Sequence, residues 1–329
     1  MKKILYSLLL FSACLAGGLW LNRQRVQVFE QANFSASALK VIFFDVGQGD
    51  SALIKTPAGK KILVDGGPDD KILSKLGENF PLNDKKIDVM ILTHPHADHL
   101  EGLISVLRRY EVGGVYYSGV IHTTAGFLEW LRLIKDKNIP MKIIKGPEKV
   151  EMGGAILEFL YPNKDLSFAA STTAAGGAGA GEAGGNGVSA NDVGANAGEN
   201  SGQESKNQKN NGNLNNASVV FKLSFGRTSF LFMGDAETPL EDILLKNKVD
   251  LKADVLKAGH HGSNTSSGED FLRAVSPEWS VISVGKNNDY GHPHLRVLRR
   301  LERHGIKILR TDEVGDIKFE SDGEKIDIK

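Results

Sequence analysis

The sequence predicts an α/β fold in which runs of strands are followed by helices, and this order occurs twice along the chain. Short β-rich apolar runs open each half, and segments with apolar residues at helical spacing follow them. Of the 329 residues, 41% are hydrophobic and 24% are charged, which suits a globular core. Histidines and aspartates come directly after several predicted strands, so the same pattern also predicts a chemical site at strand ends.

The first half alternates apolar runs with helical patterns up to residue 160. The turn Pro57-Ala58-Gly59-Lys60 separates two β-rich runs. Between residues 124 and 137, apolar side chains recur at the i, i+3, i+4, i+7 spacing of an amphipathic helix, at Phe127, Leu128, Leu131 and Ile134. The predicted strands are 40–44, 51–55, 61–64, 87–92, 115–118, 143–144 and 156–160, and the predicted helices are 69–76, 99–110 and 124–137.

The second half repeats the order. A hairpin is predicted from 218–225 and 228–233, with Gly226-Arg227 at its turn. Ser266 or Ser267 can cap a following helix that carries Phe271 and Leu272. The other predicted elements are helices at 240–246 and 294–304, strands at 255–258, 279–284 and 306–310, and a final hairpin around residues 322–323.

The N-terminus has the pattern of an export signal. Lys2 and Lys3 precede a nearly all-apolar or small stretch from Ile4 to Leu21. Cys14 is the single cysteine, so the chain has no disulfide framework, and its context resembles a bacterial lipoprotein signal. Three interpretations stay open, namely a lipoprotein signal, an uncleaved membrane anchor and ordinary signal cleavage. Each interpretation predicts that the domain is exported and that a tether at 22–39 connects it to the N-terminal segment. The first two also predict that the N-terminus attaches the chain to the membrane.

The amino-acid composition differs from the rest of the chain in a segment at about 166–214. This segment consists mainly of Ala, Gly, Asn, Ser and Glu, and cannot bury enough apolar surface to offset the entropy of ordering. We interpret it as a disordered insert within one domain at 40–329, because motifs continue on its far side. The alternative is a flexible linker between two domains.

Four metal-capable side chains fall within six residues, in His94-Pro95-His96-Ala97-Asp98-His99. In an extended segment, residues i and i+2 point the same way, so His94 and His96 can hold one ion from one side. Asp98 and His99 stand at the start of the next helix and are predicted to face a second ion. Neutral imidazole suits zinc and other transition metals, and the carboxylate broadens that choice. Two adjacent ions predict hydrolysis by a metal-activated water.

The ordered set of motifs resembles the metallo-β-lactamase superfamily, and within it the hydrolase domain of ComEC-type DNA-uptake proteins. The resemblance implies a four-layer αββα sandwich, with two sheets face to face and helices outside. It rests on the His94–His99 motif together with Asp45–Ser51, Asp65–Gly67, Gly234-Asp235, His260–Ser263 and Tyr290–Pro293.

By this resemblance, His94 and His96 hold the first of two divalent metal ions, and Asp98 and His99 hold the second. Asp235 bridges both ions, although a Gly-Asp pair is also common in turns. One residue of the pair His260-His261 completes the second site. Our prediction assigns His261 as the ligand and His260 as a catalytic residue facing substrate, with the reverse order left open.

The chain departs from the superfamily pattern at the first metal site. The superfamily normally supplies a third histidine there, whereas this chain has none between His122 and His260. Asn216 and Ser218 occupy that neighbourhood, which predicts oxygen-rich ligation. Zinc is therefore expected at the second site, and harder ions such as manganese, or partial occupancy, at the first.

Further roles follow from the same motifs. The glycine-rich loop from Asp45 to Asp50 can pass beside the metals, or form a plain turn. Asp65 is predicted to orient a ligand histidine. His292 is a candidate to contact a phosphate or protonate the leaving oxygen, and Asp98 to orient the nucleophile. Lys257 is a weaker candidate for contact with an anionic substrate.

The predicted function is an exported hydrolase of phosphodiesters such as DNA or nucleotides. The formal net charge of zero argues against tight non-specific DNA binding across the whole surface. Alternatives are an ester, lactone or amide hydrolase of the same superfamily, and a catalytically inactive binding module in DNA uptake. No protein partner is indicated by the sequence.

Overall fold

The computed structural model describes residues 38–167 and 214–329, and two β-sheets packed face to face form its centre. The predicted N-terminal signal or anchor at 1–21, the tether up to residue 37, and the predicted insert from 168 to 213 lie outside the described residues. No helix in the part of the chain that the structure describes is long and apolar enough to cross a membrane.

The strands come in chain order and alternate with helices much as predicted. They are β1 (Leu39–Phe43), β2 (Ala52–Lys55), β3 (Lys61–Val64), β4 (Lys86–Ile87), β5 (Val89–Leu92), β6 (Glu111–Val112), β7 (Val115–Tyr117), β8 (Met141–Ile143), β9 (Glu148–Met152), β10 (Ala155–Tyr161), β11 (Val220–Phe225), β12 (Thr228–Phe232), β13 (Val255–Lys257), β14 (Trp279–Ile282), β15 (Lys307–Arg310), β16 (Ile317–Ser321) and β17 (Ile326–Ile328).

Each large sheet has an antiparallel part and a parallel part. The first sheet has the order β17-β16-β1-β2-β3-β5-β7-β8, and strands β3, β5, β7 and β8 are parallel. The second has the order β15-β14-β13-β12-β11-β10-β9, with β12 to β15 parallel. Strands β4 and β6 form a small separate pair. Parallel neighbours need crossover connections, which explains why helices follow the strands twice.

Helices provide those crossovers and form the two outer layers. They are α1 (Lys71–Asn79), α2 (Ala97–Arg109), α3 (Ala125–Asp136), α4 (Thr238–Lys246), α5 (Glu269–Val275), α6 (Leu295–Arg303) and α7 (Thr311–Val314). The first three connect parallel strands of the first sheet, and α4 to α6 connect those of the second. The result is the expected four-layer αββα sandwich.

Strand β1 shows how the sequence separates the layers. Val41 and Phe43 point into the core between the sheets, whereas Ile42 and Phe44 belong to the core beneath the helices. The inter-sheet core is rich in phenylalanine, and the rings of Phe43 and Phe232, one from each sheet, lie 5.5 Å apart. Burying one such ring stabilises the fold by about 1.5–3 kcal/mol, so this layer holds the two sheets together.

Two local differences from the predictions have physical reasons. Strand β9 was missed because it lies at a sheet edge and alternates exposed with half-buried residues, without an apolar run. Helix α5 has Gly268 at its N-cap and no side-chain cap, so neither predicted serine caps it. The carboxylate of Glu241 instead accepts hydrogen bonds from Ser267 N (2.6 Å) and Gly268 N (2.9 Å), and Ser266 Oγ donates to Gly259 O.

Candidate metal centre

The predicted ligands meet where the parallel strands of both sheets end. His94 follows β5, Asp235 follows β12, and His261 follows β13. The helix that begins at Ala97 supplies Asp98 and His99 from its first turn. Because the carboxyl ends of parallel strands share one sheet edge, residues distant in sequence come together in the cleft between the two sheets.

The first donor set contains His94, His96 and Asp235. One ligand atom from each lies within 4.8 Å of the other two. His94 Nε2 is 3.0 Å from His96 Nδ1 and 3.6 Å from Asp235 Oδ2. Burial, and then the charge of His99, hold the pKa of His94 well below its ordinary value. His94 is therefore a neutral imidazole, which is the form that binds metal.

The second donor set contains Asp98, His99, Asp235 and His261, again within 4.8 Å of one another. His261 Nε2 lies 3.2 Å from Asp98 Oδ2 and 3.4 Å from Asp235 Oδ2. His99 Nε2 lies 3.3 Å from Asp235 Oδ1. Asp235 thus belongs to both sets, with Oδ1 near His99 and Oδ2 near His94 and His261.

The buried polar atoms of the centre fit a cation. His99 Nε2 and Asp235 Oδ1 are fully buried and make no hydrogen bond within the described ranges. A buried polar atom without a hydrogen bond is costly, and a divalent cation held by these residues would satisfy both atoms. Imidazole and carboxylate donors are also those that zinc and related divalent ions prefer. The residues present therefore fit two divalent ions.

Charge on the buried imidazoles balances the carboxylates. Burial opposes a positive His99, yet Asp235 and Asp98 raise its pKa well above the ordinary value. The pKa of His261 is likewise raised well above its ordinary value, against burial, by Asp235 and Asp50. A divalent cation bound by the same atoms would displace these protons, so metal binding should release protons.

Asp65 lies directly behind His99, where the sequence predicted a carboxylate that orients a ligand histidine. His99 Nδ1 is 2.8 Å from Asp65 Oδ2. Thr93 holds both oxygens of the same carboxylate, donating from its backbone N (2.8 Å) and its Oγ1 (2.7 Å). The contact at Nδ1 fixes the ring with Nε2 toward the centre, the arrangement typical of metal-binding histidines.

The backbone carbonyl of Ser283 holds His261 from behind, and Asp50 lies beside the same ring nitrogen, which agrees with a glycine-rich loop passing beside the donor sets. His261 Nδ1 lies 2.9 Å from Ser283 O and 3.2 Å from Asp50 Oδ1. The other oxygen of Asp50 pairs with Lys257 Nζ at 2.8 Å. Lys257 is 3% exposed, so the prediction that it contacts an anionic substrate is wrong. Its charge instead compensates Asp50 behind the centre.

A left-handed turn separates the adjacent histidines. His260 and His261 have φ of 47° and 52°, and their ring planes are inclined by 61°. His261 points to the donor sets, whereas His260 Nδ1 lies 3.1 Å from Glu237 Oε1. Glu237 was not identified from the sequence. Its position two residues after Asp235, in Gly-Asp-Ala-Glu, was the available signal.

The two candidate oxygen ligands of the first site have other contacts. Ser218 Oγ accepts from Asp235 N at 3.1 Å and lies 3.4 Å from His94 Nδ1, on the ring edge away from the donor atoms. Asn216 Oδ1 accepts from Glu237 N at 3.1 Å. Ser218 therefore positions the loop and His94, and Asn216 positions the loop. These contacts do not show the expected oxygen-rich replacement of a third histidine.

His292 reaches the edge of the site from the loop before α6. Its ring packs edge-on against His260, with centroids 5.5 Å apart. Burial first, and then the neighbouring His260, lower the pKa of His292 to about 4. His292 is thus neutral at pH 7. The structure brings together all eight predicted site residues, whose roles as ligands and catalysts stay predictions: His94, His96, Asp98, His99, Asp235, His260, His261 and His292.

Comparison with known proteins agrees with this geometry. Residues 44–286 match the model of the metallo-beta-lactamase superfamily. The chain is 28% identical over 297 residues to ComE operon protein 3 of Bacillus subtilis, covering 85% of this chain and 33% of that protein. It is 30% identical over 289 residues to competence protein ComA of Neisseria gonorrhoeae, covering 85% of this chain and 32% of that protein. The chain thus spans about a third of the length of these relatives.

A solved structure supports the fold in the same way. The metallo-beta-lactamase fold protein YhfI from Bacillus subtilis aligns with a TM-score of 0.50 and 10% sequence identity, covering 86% of this chain and 100% of that one. The sandwich, the clustered histidines and aspartates at its edge, and the family match over residues 44–286 lead to one conclusion. The chain belongs to the metallo-β-lactamase superfamily and is similar to competence proteins.

Proposed function

We propose that this protein is a metal-dependent phosphodiesterase that cleaves DNA or nucleotides. The observation that carries the proposal is the pair of donor sets joined by one shared carboxylate, Asp235. Paired metal sites are typical of enzymes that stabilise both the attacking and the leaving oxygen of a phosphoryl group. Similarity to competence proteins supports nucleic acid as the substrate class.

The chain's own residues have distinct tasks in this proposal. Ions held by the two donor sets would supply Lewis acidity, which polarises a phosphoryl oxygen and makes water more acidic. Asp98 is the most accessible carboxylate of the second set, with its side chain 31% exposed, so it can also orient the attacking water. His260 is 25% exposed and held by Glu237, which supports a role in contacting the substrate.

His292 is best suited to bind substrate. Because its pKa is about 4, the ring is neutral at pH 7 and holds one ring proton, which it can donate in a hydrogen bond to a phosphate oxygen. Of the two predicted roles, phosphate contact is therefore favoured over protonation of the leaving oxygen, which would need the cationic form.

A substrate panel tests the proposal. The purified full chain is compared with His96→Ala on single-stranded DNA, bis-p-nitrophenyl phosphate, a β-lactam and a lactone, with zinc or manganese and with chelator. The proposal expects diester cleavage that requires metal and is lost in the variant. Cleavage of the lactone or β-lactam without diester cleavage would support the ester, lactone or amide alternative. Bound DNA with no hydrolysis of any substrate would support a non-catalytic binding module.

We also propose that the hydrolase domain acts outside the cytoplasm and is attached to the membrane through the N-terminus. The basic start at Lys2-Lys3, the apolar stretch to Leu21 and the position of Cys14 support this proposal. Metabolic labelling with palmitate, compared between the natural chain and Cys14→Ser, distinguishes a lipoprotein from an anchor helix. Protease digestion of intact cells tests export, since a cytoplasmic domain would be protected.

A further inference from the structure

Tyr290 has a large aromatic side chain that is exposed to solvent near the candidate metal centre. It is 71% exposed, and no other aromatic residue in the described ranges is as exposed. Exposing a tyrosine ring leaves its apolar area in water, which gives the fold no stability. A single exposed aromatic is common on protein surfaces, so the argument depends on what surrounds Tyr290.

A row of rings joins Tyr290 to the centre. From the predicted ligand His261, ring centroids follow at 6.1 Å to His260, 5.5 Å to His292 and 5.8 Å to Tyr290. The last two rings are nearly parallel, inclined by 23°. One face of Tyr290 is thus covered by His292 and the other faces solvent.

The loop under Tyr290 is held in place by one side chain. Asn288 Oδ1 accepts from Tyr290 N (3.1 Å) and from His292 N (3.0 Å). Asn288 Nδ2 donates to Gly285 O (3.0 Å) and to His292 O (2.7 Å). These four bonds fix the backbone on both sides of the ring, so a ligand that stacks on it does not have to order the loop.

We infer that Tyr290 is a stacking platform for a nucleobase of the strand whose phosphodiester lies at the metal centre. The inference rests on the proposed function and extends it to substrate recognition. Bases stack on protein aromatics without requiring a particular sequence, since every base has a π-face. A phosphodiester contact at His292 and a base contact one ring further along would hold one strand at two points.

The test compares Tyr290→Ala and Tyr290→Phe in the full chain, using a short single-stranded oligonucleotide and the same strand with abasic sites. Stacking predicts that Tyr290→Ala raises KM for the normal strand about tenfold and leaves KM for the abasic strand unchanged. Tyr290→Phe keeps the ring and should stay within about twofold of the natural chain. Leu82→Ala is the control, because Leu82 is 100% exposed and lies in the loop between α1 and β4, outside both donor sets.

Equal effects of Tyr290→Ala on the normal and abasic strands, or no effect on either, would overturn the inference. If the natural chain cleaves neither strand, the proposed function has failed, and stacking is judged by binding alone. Fluorescence anisotropy of the labelled strand is then measured for His96→Ala with and without Tyr290→Ala. Unchanged affinity overturns the stacking platform, and a tenfold loss confined to the normal strand supports it.

Discussion

At the scale of single residues, the centre depends on the direction in which each imidazole is held. His99 is held from behind by Asp65, and His261 by the carbonyl of Ser283 with Asp50 beside it. Nε2 of both rings faces the shared carboxylate of Asp235. His260, adjacent in sequence to His261, is turned away to Glu237 by the left-handed backbone. Neighbouring histidines therefore have different chemical surroundings.

Replacing each of these histidines separately tests the difference. His261→Ala removes a donor of the second set, so we expect one ion per chain to be lost. His260→Ala should keep both ions and lower kcat by about 10²–10³ fold, as expected for a positioned group that contacts the substrate. Elemental analysis with kcat measured on the same samples gives both numbers. Loss of an ion in His260→Ala would show that the assignment is reversed.

The sequence predicted the residues that touch the centre better than those that support them. His94, His96 and the pair at 260–261 stand out because histidine is scarce, and the spacing of His94 and His96 also matches the period of a strand. Glu237 and the buried role of Lys257 did not stand out, because their partners are distant in the chain. Only the folded structure shows that Lys257 is enclosed with Asp50.

At the scale of elements, two loops bring the supporting groups to the centre. The loop after β1 passes so close to helix α2 that Asp50 N donates to Asp98 O at 3.2 Å. Gly49 makes this approach possible, since a Cβ there would lie 2.2 Å from Asp98 O. The loop after His261 is held by the buried carboxylate of Glu241.

Gly49→Ala should destabilise the protein by about 3 kcal/mol, because the methyl group collides with the backbone of Asp98 and the φ of +137° suits glycine. It should also weaken the second metal site by displacing Asp98. The matched control is Gly47→Ala, which has a φ of +89° but no atom within 4 Å of the added Cβ. Its expected cost is about 1 kcal/mol. Urea unfolding measures both, and equal losses would contradict the role of the close approach.

Glu241 predicts a pH dependence of stability. Burial raises its pKa to about 7 from an ordinary 4.5, although two backbone donors oppose the shift. A raised pKa in the folded state means that its contribution is complete below pH 4.5 and is lost as pH rises toward 7. The free-energy difference between the natural chain and Glu241→Gln should therefore shift by about 3 kcal/mol against the natural chain between pH 4 and pH 8. A difference that does not change with pH would show that the pKa of Glu241 is the same in the folded and the unfolded chain.

The sequence predicted helices and strands well where apolar residues recur at a regular spacing. The stripe that predicted a helix at 124–137 corresponds to α3 (Ala125–Asp136), whose N-cap Thr124 accepts from Phe127 N. Edge strand β9 has no such period, and the cap of α5 is replaced by a carboxylate from another helix. The apolar pattern is absent in β9 because an edge strand buries little of its surface, and the capping rule fails at α5 because a carboxylate from another helix satisfies the backbone.

At the scale of the whole molecule, the sandwich explains why the ligands are spread so widely along the chain. Strand β5 belongs to the first sheet and strands β12 and β13 to the second, yet their carboxyl ends meet at one edge. Neither sheet alone contains a complete donor set, since His94 and His99 come from the first and Asp235 and His261 from the second. The centre should therefore form only when both sheets have packed, and bound metal should stabilise that packing.

The most direct test of this account is the metal content of the natural chain, His96→Ala and Asp235→Asn after identical dialysis, measured by mass spectrometry of the elements. Because Asp235 belongs to both donor sets, the account predicts two ions in the natural chain, one in His96→Ala and almost none in Asp235→Asn. Circular dichroism confirms that each variant is folded. Two ions retained in folded Asp235→Asn, or equal losses in the two variants, would contradict a shared carboxylate at the centre.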